Sequence, residues 1–131
     1  MGHILITDYD RDVRDTLHIL LGDAGYTTFT AQNGHQVLTF IHQHPAPLVV
    51  LLEIGLPDID GLSILRKVAD QDEPLPPHKR AYILVTGHAP ALYMPYSALL
   101  AQLQVPVLPK PFDIDYLLAL VSQAERHVTT R

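Results

Sequence analysis

Residues 48–52, Leu48-Val49-Val50-Leu51-Leu52, form an unbroken run of branched apolar side chains that ends at Glu53. A short run of this kind, with no alternation, reads as a strand buried on both faces, which is the habit of a central strand in a parallel sheet. Its terminal carboxylate then emerges at the carboxyl edge of that sheet, where open α/β sheets place their sites. The loop that follows, Gly55-Leu56-Pro57-Asp58-Ile59-Asp60-Gly61-Leu62, is dense in turn formers and leads toward another apolar-periodic segment.

The rest of the chain alternates in the same way, giving five strand-then-helix units and a predicted α/β fold, a doubly wound five-stranded parallel sheet with helices on both faces. After a strand at 3–8, Asp10 or Asp12 caps a helix whose Val13, Leu17, Leu20 and Leu21 share one face and which Gly25 ends. Tyr26 to Thr30 reads as a strand. Asn33-Gly34 opens a second helix with Val37, Leu38 and Ile41 inward, stopped by Pro45. Strand 48–53 is followed by a helix over 61–70 capped by Asp60, with Leu62, Leu65 and Val68 buried, then by a polar, proline-rich loop from Asp70 to Arg80. Strand 81–86 precedes a fourth helix in which Pro95 takes a first-turn position and 96–103 is helical. A strand at 105–108 leads to a last helix from Asp113 to about Arg126, with Tyr116, Leu117, Leu120 and Val121 at apolar positions.

Four separated motifs carry a resemblance. Ile4-Leu5-Ile6-Thr7-Asp8-Tyr9-Asp10, the segment from Leu48 through Gly61, Ile83-Leu84-Val85-Thr86-Gly87 and Val107-Leu108-Pro109-Lys110-Pro111-Phe112 occur in the order and spacing of the receiver domains of two-component response regulators. The chain resembles that family, of CheY-like type, over residues 3 to about 126. One substitution stands out: Glu53 takes the position of the phosphoacceptor aspartate.

In the family the resemblance implies phosphoryl transfer to an aspartate beside a divalent cation, and the protein contributes mainly positioning and electrostatics. Carried over residue by residue, the acidic pair falls on Asp8 and Tyr9, the acceptor on Glu53, the metal-binding carbonyl on Gly55, the hydroxyl on Thr86 and the ammonium on Lys110. The resemblance also implies a cis peptide bond before Pro111. Tyr9 replaces a carboxylate ligand, and a neutral phenol serves magnesium poorly, so any metal site (Asp8, Glu53, Gly55) is expected to be weak and no cofactor is expected. Asp10 lies next along the chain but reads first as a helix cap. Val107 stands where receivers carry a Tyr or Phe that swings inward on activation.

Glu53 extends its carboxylate by about one carbon–carbon bond relative to aspartate, toward the place of a phosphoryl group, where Lys110 and Thr86 would meet it. Two readings without phosphorylation follow, imitation of the phosphorylated state and a structural ion pair. Phosphorylation of Glu53 itself is disfavoured, because a nucleophile misplaced by about 1 Å can lose two orders of magnitude in rate. The expected function is therefore an atypical receiver acting as a protein-interaction module, not as an enzyme. The alternative is a haloacid-dehalogenase-like phosphatase using Asp8 and Asp10, with Thr86 and Lys110 as its later motifs; against it, Asp12 stands where that family wants Thr or Val, and the 56–61 loop has no role.

Composition narrows the partners. The chain has 131 residues, about one domain, and the expectation is a stand-alone receiver without an effector domain. A net charge of −5 with no Lys/Arg block argues against nucleic acid, and the absence of cysteine, signal peptide and long apolar stretch argues for a cytoplasmic protein that uses no membrane. Kinase or effector proteins are the expected partners, through the face of the fourth and last helices, where Tyr93, Tyr96, Phe112 and Tyr116 cluster; a homodimer through that face is a further expectation. His18, and His35, His42 and His44 on and after the second helix, read as solvated side chains in preference to metal ligands or a phosphotransfer site.

Overall fold

The computed structural model describes residues 2–70 and 78–129, so most of the proline-rich loop expected at 70–80 lies outside the described residues. Five strands, β1 (His3–Thr7), β2 (Thr27–Ala31), β3 (Leu48–Leu52), β4 (Arg80–Thr86) and β5 (Val107–Pro109), form one parallel sheet in the order β2-β1-β3-β4-β5. The helices are α1 (Arg11–Asp23), α2 (Gly34–Gln43), α3 (Gly61–Asp70), α4 (Pro90–Tyr93), α5 (Ser97–Gln102) and α6 (Ile114–Thr129), with a 3-10 turn at Met94–Tyr96 joining α4 to α5.

Alternation along the strands divides the core in two. Leu5, Val50, Leu52 and Leu84 point to one face, against Val37 and Ile41 of α2, Leu62, Ile64 and Leu65 of α3, and Leu99 and Leu100 of α5. Ile4, Ile6, Val49, Leu51, Ile83 and Val85 point to the other, against Leu17 and Leu21 of α1 and Leu117 and Val121 of α6. Strand β3 is buried at all five positions because both faces are covered. Truncating a side chain such as Leu51 to alanine there should cost roughly 2 to 5 kcal/mol.

Helix starts are set by side chains named from the sequence. Asp10 accepts from Asp12 N at 2.9 Å, Asn33 from Gln36 N at 2.9 Å, and Asp60 from Ser63 N at 2.9 Å. Gly25 takes φ 100° just after α1, a conformation in which a Cβ is strained. Gly61 is fixed by space: a Cβ there would fall on the backbone carbonyl of Glu53, so α3 begins hard against the end of β3.

Several boundaries differ from expectation. The fourth helix begins at Pro90, not after Pro95, because each proline sits in the first turn of its own short segment, where its missing N–H leaves no helical bond unmade. Strand β5 starts at Val107, since Val105 N bonds Leu100 O at 2.8 Å and closes α5 instead of joining the ladder. Strand β2 runs one residue later than expected, with Tyr26 N bonded to Leu21 O at 3.1 Å behind α1. The last helix runs on to Thr129, and Tyr116, expected at an apolar position, is exposed.

Candidate functional site at the carboxyl edge

Strand order reverses between β1 and β3, and the carboxyl ends of these two strands open on the crevice where doubly wound sheets hold ligands. Asp8 follows β1, Glu53 follows β3, Thr86 ends β4 and Lys110 follows β5. All four side chains converge. Asp8, Glu53 and Thr86 are 2, 3 and 1% exposed, so two carboxylates are withdrawn from water together.

Lys110 is the cation that makes this tolerable. Its Nζ lies 2.5 Å from Asp8 Oδ2 and 2.9 Å from Glu53 Oε2. Burial works against the ammonium, but the hydrogen bonds and charges of Asp8 and Glu53 outweigh it and raise the Lys110 pKa above the ordinary lysine range. The Lys110 N–H donates to Thr86 O at 2.8 Å, which ties its backbone to the end of β4. The Lys110–Pro111 peptide bond is cis. Glu53 Oε1 accepts from Gly55 N at 3.1 Å and from Thr86 Oγ1 at 3.3 Å, while Thr86 Oγ1 accepts from His88 N at 3.0 Å. Oε2 accepts no further hydrogen bond among the described residues and depends on Lys110 for its charge balance.

The acidic cluster after β1 divides its labour. Asp8 Oδ1 accepts from Asp10 N at 2.9 Å, the Asp10 carboxylate caps α1, and Tyr9 turns its ring outward, 65% exposed. Capping directs the Asp10 side chain into the first turn of α1, which leaves the phosphatase pairing of Asp8 with Asp10 without its second member. Val107, partly buried, pairs with Leu84 in the β4–β5 ladder.

Three contributors were not singled out from the sequence. Thr7 Oγ1 accepts from Glu53 N at 3.1 Å, Arg14 Nη1 donates to Asp8 O at 2.6 Å, and His88 Nε2 stands 4.0 Å from Glu53 Oε1. A hydroxyl closing an otherwise apolar strand was the available signal for Thr7; the other two depend on how helix and loop fold back over the edge.

Asp58, in the loop after Glu53, takes φ 65° and accepts from Gly34 N at 2.8 Å, from Ile59 N at 2.7 Å and from the His35 ring at 2.5 Å. Partial burial opposes its charge, but these bonds, led by that from His35, prevail and lower its pKa to about 2. The loop is thereby fastened to the start of α2. Among the histidines expected to be solvated, His35 is thus paired, His42 bonds Leu38 O at 2.7 Å, and His44 is half-buried against other rings; His18, exposed, contacts Thr28. No cluster of three His, Cys, Asp or Glu side chains among the described residues is arranged to hold a metal.

This sheet order, with a pocket of two acids, a hydroxyl and a lysine at its carboxyl edge, defines a CheY-like signalling domain of the flavodoxin-like class. The family profile described as response regulator receiver domain matches residues 4–122, and the chain belongs to that family of two-component signalling modules, whose members exchange signals with kinases and effector domains. It is 36% identical over 128 residues to the DNA-binding transcriptional regulator NtrC of Salmonella typhimurium, an alignment covering 96% of this chain and 25% of that protein. The chain therefore spans about a quarter of the length of that relative. Among solved structures, the signal receiver domain of an HD domain-containing protein from Pseudomonas fluorescens Pf-5 superposes with TM-score 0.79 at 24% identity, covering 99% of this chain and 98% of that one. Full-length FixJ from B. japonicum gives TM-score 0.74 at 26% identity, over 98% of this chain and 60% of that one. Among the described residues no helix is long and apolar enough to cross a membrane.

Proposed function

We propose that this receiver signals without an aspartyl-phosphate cycle, and that the Glu53 carboxylate stands in the phosphoryl region of the pocket. The observation that carries the reading is the three-way contact of Lys110 with Asp8 and Glu53, joined by Thr86 on Glu53 Oε1. The lysine and hydroxyl that would engage a phosphoryl group already have a partner. The imitation is partial, because one carboxylate carries less charge and fewer acceptor oxygens than a phosphoryl group.

The donor set also fits a divalent cation poorly. Magnesium wants near-octahedral oxygen coordination; here both carboxylates serve Lys110, Asp10 is committed to the helix cap, and Tyr9 faces solvent. Only the Gly55 carbonyl would remain of the set that the family supplies. The Lys110 ammonium takes over the neutralising role.

The surface offered to a protein partner, kinase or effector, is the face formed by the α4–α5 segment, β5 and α6. Leu92, Met94, Ile114 and Tyr116 are exposed on it, while Tyr93 and Tyr96 pack inward against the core. Exposed aromatic and Met side chains are enriched in interfaces. A homodimer through the same face is the second use it would serve.

Incubation with a small-molecule phosphodonor and magnesium, followed by intact mass measurement, tests the central claim. The domain should remain unmodified. Glu53→Asp alone should also remain unmodified, whereas Glu53→Asp with Tyr9→Asp should gain one phosphoryl group, because only the pair restores both acceptor and cation ligand. A phosphoryl group mapped to Glu53 in the native chain, or efficient modification of the single variant, overturns the reading.

A further inference from the structure

At the amino edge of the sheet, opposite the Glu53 pocket, four rings meet: His3 of β1, Phe29 of β2, Phe40 of α2 and His44 just after α2. Phe40 and His44 stack at 4.7 Å, Phe29 meets His44 edge-on at 4.9 Å, and His3 lies 5.6 Å from Phe29. Within this group His3 Nδ1 is 2.8 Å from His44 Nε2, so one of the facing nitrogens carries a proton and the other accepts it.

Such a contact has a defined response to acid. A first added proton goes to an outward nitrogen and leaves the shared hydrogen bond intact. A second places a proton on both facing nitrogens, and the hydrogen bond becomes a clash between two cations.

The surroundings resist that charge. The titratable groups that bear on His44 are His3 from β1, Arg80 from the start of β4, and His78 just before it, all of them bases. Burial, then these neighbours in that order, hold the His44 imidazole below its ordinary value of 6.5. A group whose pKa is lowered on folding contributes stability that is fully present above its ordinary value and is lost as pH falls from there through the lowered folded value. The same corner carries the end of α2, where His44 N bonds Phe40 O at 2.9 Å and Arg80 holds Ile41 O and His44 O at 2.9 and 2.7 Å.

We propose that the His3–His44 pair is a proton-operated latch: when both rings are protonated, the last turn of α2 parts from the first residue of β1, while the Glu53 pocket at the far edge stays closed. The two edges then respond independently, and acid adds an input that does not pass through the phosphoacceptor position. The latched state is the one in the structure, with a single hydrogen bond bridging His3 Nδ1 and His44 Nε2 at 2.8 Å.

Residue-resolved hydrogen exchange on the full chain tests this, with imidazole NMR on the same samples. Between pH 7.5 and 5.0, after correction for intrinsic exchange, the amides of the last turn of α2 should lose about ten-fold or more in protection, while those flanking Glu53 change little. The double variant His3→Phe, His44→Phe, which replaces the pair by apolar rings of similar shape, should show less than about three-fold loss. Loss of equal size in that variant, or a wild-type α2 end whose protection does not follow protonation of His3 and His44, overturns the latch. The second criterion is measured on the native chain and decides the matter even if the double variant fails to fold.

Discussion

At the carboxyl edge a single ammonium, Lys110, meets two buried carboxylates, whereas at the amino edge a single guanidinium, Arg80, meets backbone carbonyls of Ile41, His44 and Ala46, and its charge bears on the His44 imidazole, which is paired with His3. One edge balances charge with opposite charge, and its two carboxylates raise the pKa of the lysine between them. The other satisfies charge with dipoles and surrounds it with further bases, so each added proton counts against it. The contrast teaches that one sheet can settle buried charge in two ways, by counter-charge at one edge and by backbone dipoles at the other, with the same core between them.

Lys110→Met should give the largest effect, because it leaves Asp8 and Glu53 facing each other without a cation. Removing one member of a buried ion pair costs about 3 to 5 kcal/mol, and the partial exposure of Lys110 reduces this to about 2 to 4 kcal/mol. Thermal melts at neutral pH measure it; an unchanged melting temperature would mean that Lys110 is not the pocket's counter-ion. Next comes Arg80→Met, which uncovers dipoles in place of charges and should cost about 1 to 3 kcal/mol, the price of leaving buried carbonyls unsatisfied. Arg80→Lys should recover little of it, since one ammonium cannot span carbonyls that the planar guanidinium reaches together. If Arg80→Met proves the more damaging of the two, the distinction between the edges fails.

Glu53→Gln should cost only about 1 kcal/mol, since the Asp8–Lys110 pair survives it. The smallest effect is expected for Asp58→Ala, and it should depend on pH. With a folded pKa of about 2 against an ordinary 3.8, the Asp58 carboxylate stabilises the fold above the ordinary value and loses that contribution as pH falls through about 2. Wild type and variant should therefore differ in melts at pH 5 and converge near pH 2; a gap that persists unchanged in acid would remove Asp58 as the fastener of the loop.

Much of this could be read from the chain because it is carried by local patterns. The run 48–52 announced a central strand, the caps at Asp10, Asn33 and Asp60 announced helix starts, and the ordered motifs brought Asp8, Glu53, Thr86 and Lys110 to one edge. What escaped depends on contacts far apart in sequence. His3 and His44 are separated by 41 positions and Arg80 and Ile41 by 39, with no motif to mark either pairing. Tyr116 was misplaced because its helix begins with an exposed turn, so an apolar ring at a plausible spacing faces solvent. Asp58 was hidden because a non-glycine residue with positive φ is uncommon, and only its bonds to the start of α2 explain the conformation.

The hydroxyl of Thr7, which holds the Glu53 backbone amide from the neighbouring strand, bears on how such a pocket changes over evolutionary time. With the main chain fastened to β1 and blocked by α3 at Gly61, the acid cannot slide toward or away from Lys110. Exchange between glutamate and aspartate at this position therefore moves the carboxylate by about one bond length with nothing to absorb it. A lineage that lost the shorter acid would find single-step return unrewarded: the aspartate would come back to a lysine already held by Asp8 and to a cluster still lacking the acid replaced by Tyr9. On the function proposed above, substitution at the two positions would have to arrive nearly together, and such a pocket would act as a ratchet.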